Sequence, residues 1–227
     1  MRVTWTLLRA TDPTPECPWL PSGARHAQAG HAAGSRATLP PGDGLSWTVL
    51  GVFDDESAAE TPAGTPGLAE WWHVVLEPAS YHGDALLAGG ATPFTEVPRR
   101  GKVAGAAAVI TMAGLGDDVA RTTEFFERVD TLGALVADAP GLRAGLVHAP
   151  SDGAVLTFSA WTTLRDAVTW AYHRPDHAAT VRRQQEHPLL ARTGFLRCAV
   201  LSSSGSVDGV DPLAGLTGAP VPSTRPE

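Results

Sequence analysis

The order of secondary-structure patterns in residues 103–201 constrains the fold of this chain more than any other feature. The sequence predicts, in order, a strand at 103–112, an amphipathic helix at 116–137, strands at 141–149 and 154–161, a helical stretch, and a strand at 195–201. The turn between the third and fourth of these elements contains Asp152-Gly153, a typical hairpin signal. The order βαββαβ is that of a ferredoxin-like unit.

A proline divides the helical stretch that precedes the last strand. Pro175 interrupts the helical pattern and fits best as the first-turn residue of a second helix, which runs to about His187 and is stopped by Pro188. His173 and His177 would share one face of an unbroken helix, since they lie four residues apart. The proline makes that shared face doubtful, so the two histidines are separate candidates for a functional role.

The first half of the chain repeats the same order in a degraded form. Strands are predicted at 1–9, 45–53 and 70–76, the last ended by Pro78, with short helices near 24–33 and after residue 54. Two such units in one chain would form an α+β barrel whose sheets face each other. We therefore predict an α+β fold of two fused ferredoxin-like units, forming a domain of the dimeric α+β barrel type.

This prediction divides the chain into three parts. Residues 1–102 form the degraded N-terminal half with long loops rich in Pro and Gly, and residues 103–202 form the C-terminal half. Residues 203–227 are rich in Ser, Gly and Pro with few large apolar side chains, and the sequence predicts a disordered tail there.

Composition and charge exclude several classes of function. With 227 residues and 43% apolar content, the chain can bury a sizeable core. A net charge of −7 without a large basic cluster gives no support for nucleic-acid binding. No apolar run is long enough for stable membrane insertion, and the N-terminus does not resemble a signal peptide, so we expect a cytoplasmic protein. Cys17 and Cys198 are then expected to be free thiols.

Several short motifs in the second half resemble a known family. They are Ala108-Val109-Ile110-Thr111, Thr157-Phe158-Ser159-Ala160-Trp161, the run Ala171-Tyr172-x4-His177-x4-Arg182, and the strand from Phe195 to Val200. With these motifs, residues 103–200 resemble the C-terminal half of the spheroidene monooxygenase family, haem-containing proteins of the dimeric α+β barrel superfamily. Trp47 to Phe53 in the first half is similar in character.

The resemblance implies a haem ligand. His177 would be the axial ligand of the iron, Arg182 would pair with a haem propionate, and His173 is the reserve ligand. The cofactor would be haem b, bound non-covalently, because the chain has no C-x-x-C-H motif. From the residues alone, a surface histidine of a first helical turn is the simpler interpretation of His177, and Arg182 is equally well explained as a solvated helix residue. His148 and His73 lie on apolar strands, where a core role is the simpler interpretation.

The function implied by the resemblance is that of a haem-dependent, monooxygenase-like oxidoreductase of small-molecule biosynthesis. Its partner would be a small or apolar metabolite, and a homodimer is possible. A haem-dependent dehydratase acting on N–O bonds is an alternative on the same fold. A cofactor-free α+β barrel monooxygenase or a small-molecule binding protein is an alternative of another class. A Soret band in the purified protein distinguishes the haem-binding class from the cofactor-free class.

Overall fold

The computed structural model describes residues 1–34, 45–54 and 60–221. Ten strands and three α-helices lie in these ranges. In chain order they are β1 (Arg2–Ala10), β2 (His26–Gly34), β3 (Ser46–Phe53), β4 (Leu68–Gly83), β5 (Lys102–Gly105), β6 (Ala107–Gly114), α1 (Val119–Ala137), β7 (Leu142–Pro150), β8 (Val155–Trp161), α2 (Leu164–His173), α3 (Pro175–Glu186), β9 (Arg192–Gly205) and β10 (Gly218–Val221).

Eight of the strands form a closed barrel in the order β1-β3-β2-β7-β8-β6-β9-β4, and every neighbouring pair is antiparallel. Read by halves, the order is β4-β1-β3-β2 and β9-β6-β8-β7. Each half thus places its fourth, first, third and second strands side by side, as a ferredoxin-like unit does. The predicted α+β fold of two fused ferredoxin-like units is confirmed, and the repeated order supports our proposal of a boundary near residue 102.

The barrel interior is filled by side chains rather than hollow. Trp5 of β1 stacks on Phe158 of β8 with ring centroids 4.8 Å apart, and Trp72 of β4 meets the same ring edge-on at 5.9 Å. All three side chains are essentially inaccessible to solvent. Because large aromatic side chains contribute strongly to core stability, this cluster joins the two halves into one core. A functional site for a large ligand must therefore lie outside the barrel wall.

The α-helices in the described ranges all belong to the second half of the chain. Asp118 and Thr163 cap α1 and α2 by accepting hydrogen bonds from the backbone N–H groups of Arg121 and Asp166. In the first half, residues 11–25 and 60–67 contain no helix. The outer wall there is covered instead by Trp19, which packs with Leu8, Trp47 and Val49. No helix in the described parts of the chain has the length and apolar character needed to cross a membrane.

The predicted helix at 24–33 is wrong, because these residues form β2. Gln28, Gly30 and Ala32 are buried in alternation, as on a strand. β2 pairs with β7 and so forms one of the two seams between the halves, the other being β4 with β9. An added Cβ at Gly30 would lie 2.8 Å from the backbone carbonyl of Ala149. The need to close the barrel at this seam overrides the helix propensity of the alanine-rich sequence.

Two further expectations are corrected. β4 does not end at Pro78 but continues to Gly83, and the register shift between Pro78 and Ser80 accommodates a residue that has no N–H to donate. The tail is not disordered throughout residues 203–227. β9 extends to Gly205, and β10 pairs antiparallel with β5. Part of the helix predicted after residue 54 lies outside the described residues.

Candidate functional site

The longest helix does not pack tightly on the sheet. α1 has 19 residues, and none of them is buried. Although the sequence predicts an amphipathic helix here, its apolar residues Val119 and Phe126 are 78% and 39% exposed. Phe125, Val129 and Leu132 are half-buried. A helix that covers a sheet normally buries its apolar stripe, so α1 leaves apolar surface available on its inner side.

The sheet beneath the helices shows the same incomplete burial. Ala108, Ile110, Leu196 and Cys198 point into the barrel, so the residues between them on β6 and β9 point outward. Strand pairing forms two rows on the outer wall, Thr157–Thr111–Phe195 and Ser159–Val109–Arg197. All six side chains are half-buried or exposed. This outer wall combines apolar groups with hydroxyls and one guanidinium, a composition suited to ligand binding.

The break between α2 and α3 exposes a carbonyl group that an unbroken helix would use. Arg174 has an extended conformation, and Pro175 is the first residue of α3, as the sequence predicts. In a continuous helix, the N–H of residue 175 would donate to the carbonyl of Ala171. Proline has no N–H, so that acceptor remains available. Nδ1 of His177 donates to it instead, at 2.7 Å.

This hydrogen bond fixes the chemical state of His177. A carbonyl oxygen can only accept, so Nδ1 carries the proton. Burial lowers the pKa of His177 below its ordinary value, while the hydrogen bond to Ala171 acts in the opposite direction. The ring is therefore neutral at pH 7, and Nε2 presents an unprotonated lone pair. That is the form in which histidine binds a metal ion.

Trp170 of α2 orients the same ring. Its indole lies edge-on to the imidazole of His177, with centroids 4.7 Å apart, and 6.3 Å from the ring of Trp161. Trp170 is a packing residue of an apolar cluster that contains Trp161 and Ala167. The indole N–H groups of Trp161 and Trp170 are buried and have no acceptor among the described residues. Of these two donors, Trp170 is the one in contact with the imidazole, and a buried donor without an acceptor is unusual enough to mark this position.

The structure separates the other predicted site residues from His177. Arg182 is exposed on α3 and forms no hydrogen bond or ion pair with a described residue. His173 is exposed in the last turn of α2. Tyr172, the second residue of the same motif, is 61% exposed. The described residues contain no group of three or more His, Cys, Asp or Glu side chains able to hold a metal ion. A metal at this site would thus depend on a single protein ligand.

His148 and His73 are core residues. Gln28 donates from Nε2 to Nε2 of His148 at 3.0 Å, and Nδ1 of His148 then donates to Oγ1 of Thr48 at 2.7 Å. Burial lowers the pKa of His148 to about 3, so this residue stays neutral. Nδ1 of His73 lies 2.8 Å from Oγ1 of Thr6 in a buried contact. With both ring nitrogens engaged, His148 has no lone pair left for a metal.

Sequence reasoning missed Arg197 and the hydroxyl groups of Thr111 and Ser159. Their signal is the alternation along β6, β8 and β9, which places them on the opposite face from the apolar core positions. This alternation of polar and apolar residues is a weak signal, because two outward-facing positions are occupied by the apolar residues Val109 and Phe195. Cys17 and Cys198 are free thiols, as expected, and burial raises the pKa of Cys17 to about 11.

Comparison with known proteins supports the fold. The chain matches no protein-family model and no curated protein. It is similar to the crystal structure of an aldoxime dehydratase in complex with butyraldoxime, with a TM-score of 0.54 and 12% identity over 97% of this chain and 82% of that chain. A second aldoxime dehydratase structure has a TM-score of 0.53 and 14% identity over 96% and 84% of the two chains. The likeness establishes a fold of the dimeric α+β barrel type.

Proposed function

We propose that this protein is a haem-dependent enzyme that binds haem b non-covalently through His177. The observation that carries the proposal is the hydrogen bond from His177 Nδ1 to the carbonyl of Ala171. It leaves Nε2 as a free ligand atom on α3, the helix that packs on α2 and α1. The particular likeness to spheroidene monooxygenase remains a prediction of the sequence motifs.

The residues at this site fit a haem group in three respects. His177 supplies one neutral imidazole, which is enough to hold haem iron in a five-coordinate state. The apolar inner side of α1 and the outer wall of the sheet offer incompletely buried surface for a flat, largely apolar ring. The indole N–H of Trp170, in contact with His177, has no acceptor among the described residues and is a donor that a bound group would satisfy.

The roles of the protein residues follow from their chemistry. The carbonyl of Ala171 holds the proton on Nδ1 of His177 and makes Nε2 a stronger donor to the metal. Trp170 restricts rotation of the ring. The apolar side chains of α1 limit the access of water. When bound, the haem would supply an iron with one open face, able to bind dioxygen, peroxide, or a nitrogen or oxygen atom of the substrate.

Two reactions are in question, and the leading proposal is the oxidoreductase. The motifs that resemble spheroidene monooxygenase favour oxygenation of a small metabolite. The second candidate is dehydration of an aldoxime-like substrate, and the observation that favours it is the likeness to two aldoxime dehydratase structures with TM-scores of 0.54 and 0.53. Both candidates need the same ligand at His177, and they differ in whether an oxidant is consumed.

Haemin titration of the purified protein tests the proposal. A Soret band that saturates at one haem per chain and shifts on addition of cyanide or imidazole is the expected result. Protein that stays colourless after titration contradicts haem binding and favours a cofactor-free enzyme or binding protein. Turnover of the loaded enzyme with butyraldoxime, with and without dioxygen or peroxide, then separates dehydration from oxygenation.

A further inference from the structure

The loop that follows β9, residues 206–216, covers one end of the barrel. Val207 and Leu213 of this loop are buried and belong to the barrel core. Glu70 of β4 holds the loop in place, because its Oε1 accepts a hydrogen bond from the N–H of Gly209 at 2.8 Å. The loop is therefore anchored to the barrel rather than free in solvent.

A cavity of about 270 Å³ is lined by this loop, by the first residues of β7 and by Trp72 of β4. Its apolar wall includes Trp72, Ala144 and Leu146, all of which are essentially buried. The charged residues Arg143 and Asp211 line it as well. Ligand sites are frequent at the mouths of β-barrels, and pockets for drug-sized ligands measure about 300–1,000 Å³. The volume of this cavity therefore suits a smaller molecule.

Asp211 is fixed in the wall of the cavity through one of its two carboxylate oxygens. Oδ1 accepts hydrogen bonds from Nε1 of Trp72 at 3.1 Å, from Oγ of Ser203 at 2.6 Å and from the N–H of Leu213 at 2.9 Å. No described residue donates a hydrogen bond to Oδ2 or forms an ion pair with this carboxylate. The three donors set the orientation of the group, and Oδ2 is available to a ligand.

Arg143 is the extra residue of a β-bulge near the start of β7. Leu142 and Ala144 pair with adjacent residues of β8, so Arg143 between them has no partner on that strand. Bulges of this kind redirect a side chain and are frequent next to active sites. Nε of Arg143 donates to the carbonyl of Pro212 at 3.1 Å, which directs the side chain toward the loop. Its two terminal nitrogens form no hydrogen bond or ion pair with a described residue.

The guanidinium of Arg143 and the carboxylate of Asp211 thus line one cavity without forming an ion pair with each other. Each is held by hydrogen bonds that leave its remaining polar atoms unused. Two fixed groups of opposite charge, separated by an apolar wall, match a molecule that carries both charges and an apolar part.

We propose that this cavity binds a small zwitterion, an α-amino acid with an aliphatic side chain. The ammonium group of the ligand donates to Oδ2 of Asp211. Its carboxylate accepts from the two terminal nitrogens of Arg143, whose planar fork matches a carboxylate. The aliphatic side chain packs against Trp72 and Leu146. The site is separate from the proposed haem site, because none of these residues contacts His177.

Isothermal titration calorimetry with L-leucine, leucinamide and 4-methylpentanoate tests the proposal. Leucinamide lacks the carboxylate and 4-methylpentanoate lacks the ammonium group, while both keep the aliphatic part. The variants are Arg143→Gln and Asp211→Asn, which retains an oxygen for the three donors and replaces the other one. Arg165→Gln and Asp130→Asn are the controls, since each removes the charge of an exposed helix residue. Thermal unfolding confirms that each variant is folded, and Arg143→Gln decides alone if Asp211→Asn is not.

Wild type is expected to bind L-leucine about 10- to 100-fold more tightly than either analogue, as for loss of a hydrogen bond between charged groups. Arg143→Gln should lose the preference for leucine over leucinamide, and Asp211→Asn the preference for leucine over 4-methylpentanoate. The two controls should behave like wild type. Absence of leucine binding at millimolar concentration overturns the proposal. Leucine binding that is unchanged in Arg143→Gln also overturns it, because the ligand then lies elsewhere in the protein.

Discussion

Nδ1 of His177 lies 2.7 Å from the carbonyl oxygen of Ala171, across the break between α2 and α3. The contact exists because Pro175, four residues after Ala171, has no N–H to occupy that oxygen. Pro175 thus accounts for the break between the helices, for the available acceptor and for the orientation of the imidazole. The first two predictions follow from this arrangement.

Replacing His177 with Ala should abolish haem retention. Loss of a partner that only orients a ligand typically lowers metal affinity about 10- to 100-fold, and loss of the ligand itself should exceed that. The matched control is His173→Ala, which removes an exposed histidine four residues earlier on the neighbouring helix. Soret absorbance per chain after haemin loading measures the difference. Full haem in His177→Ala together with loss in His173→Ala would identify His173 as the ligand.

Pro175→Ala should weaken haem binding without removing the ligand. An alanine at this position restores an N–H that can donate to the carbonyl of Ala171 and compete with Nδ1 of His177. We expect haem affinity to fall by about 10- to 100-fold, as for loss of an orienting hydrogen bond, while helicity measured by circular dichroism stays equal or rises. Pro188→Ala, beyond the end of α3, is the control. Unchanged haem affinity in Pro175→Ala would show that the proline does not position the ring.

The second half of the fold was predictable because its signals are local. The Asp152-Gly153 turn fixes the β7–β8 hairpin, and Gly153 has a φ of +80°, which glycine adopts readily. Pro175 marks the start of α3 because proline favours the first helical turn. His177 could be selected as a candidate from its motif, but its tautomer could not, because the Ala171 carbonyl becomes available only when the two helices take their observed arrangement.

The features that sequence reasoning missed depend on contacts between distant residues. Residues 26–34 are rich in alanine, and they form a strand because they must pair with β3 and β7 to close the barrel. The half-buried state of Arg197 likewise depends on its strand neighbours Val109 and Ser80. Neither pairing is encoded by local spacing, since each partner lies far away in the chain.

Gly30→Ala should destabilise the barrel at the β2–β7 seam between its halves. An added Cβ would lie 2.8 Å from the carbonyl atoms of Ala149, so the backbone of β2 or β7 must move. We expect a loss of about 1–3 kcal/mol in the free energy of unfolding, measured with urea. Gly116→Ala is the control, because its Cβ would meet Ala191 at an ordinary 3.6 Å. Equal stability of the two variants would show that the seam tolerates a side chain.

The buried His148 should make the stability of the fold depend on pH in mildly acidic solution. Its pKa is lowered from 6.5 to about 3 by burial, so below pH 6.5 the unfolded chain takes up a proton that the folded chain does not. The free energy of unfolding is therefore highest above the pKa that His148 has in the unfolded chain. Below that pH it falls by about 1.4 kcal/mol per pH unit, until the pKa of the folded chain is reached. Between pH 7.5 and pH 5 this predicts a loss of about 2 kcal/mol. His148→Gln has no titrating group at this position. Over the same pH interval its free energy of unfolding, measured with urea, should therefore fall by about 2 kcal/mol less than that of wild type. Parallel declines in the two proteins would assign the pH dependence to other groups.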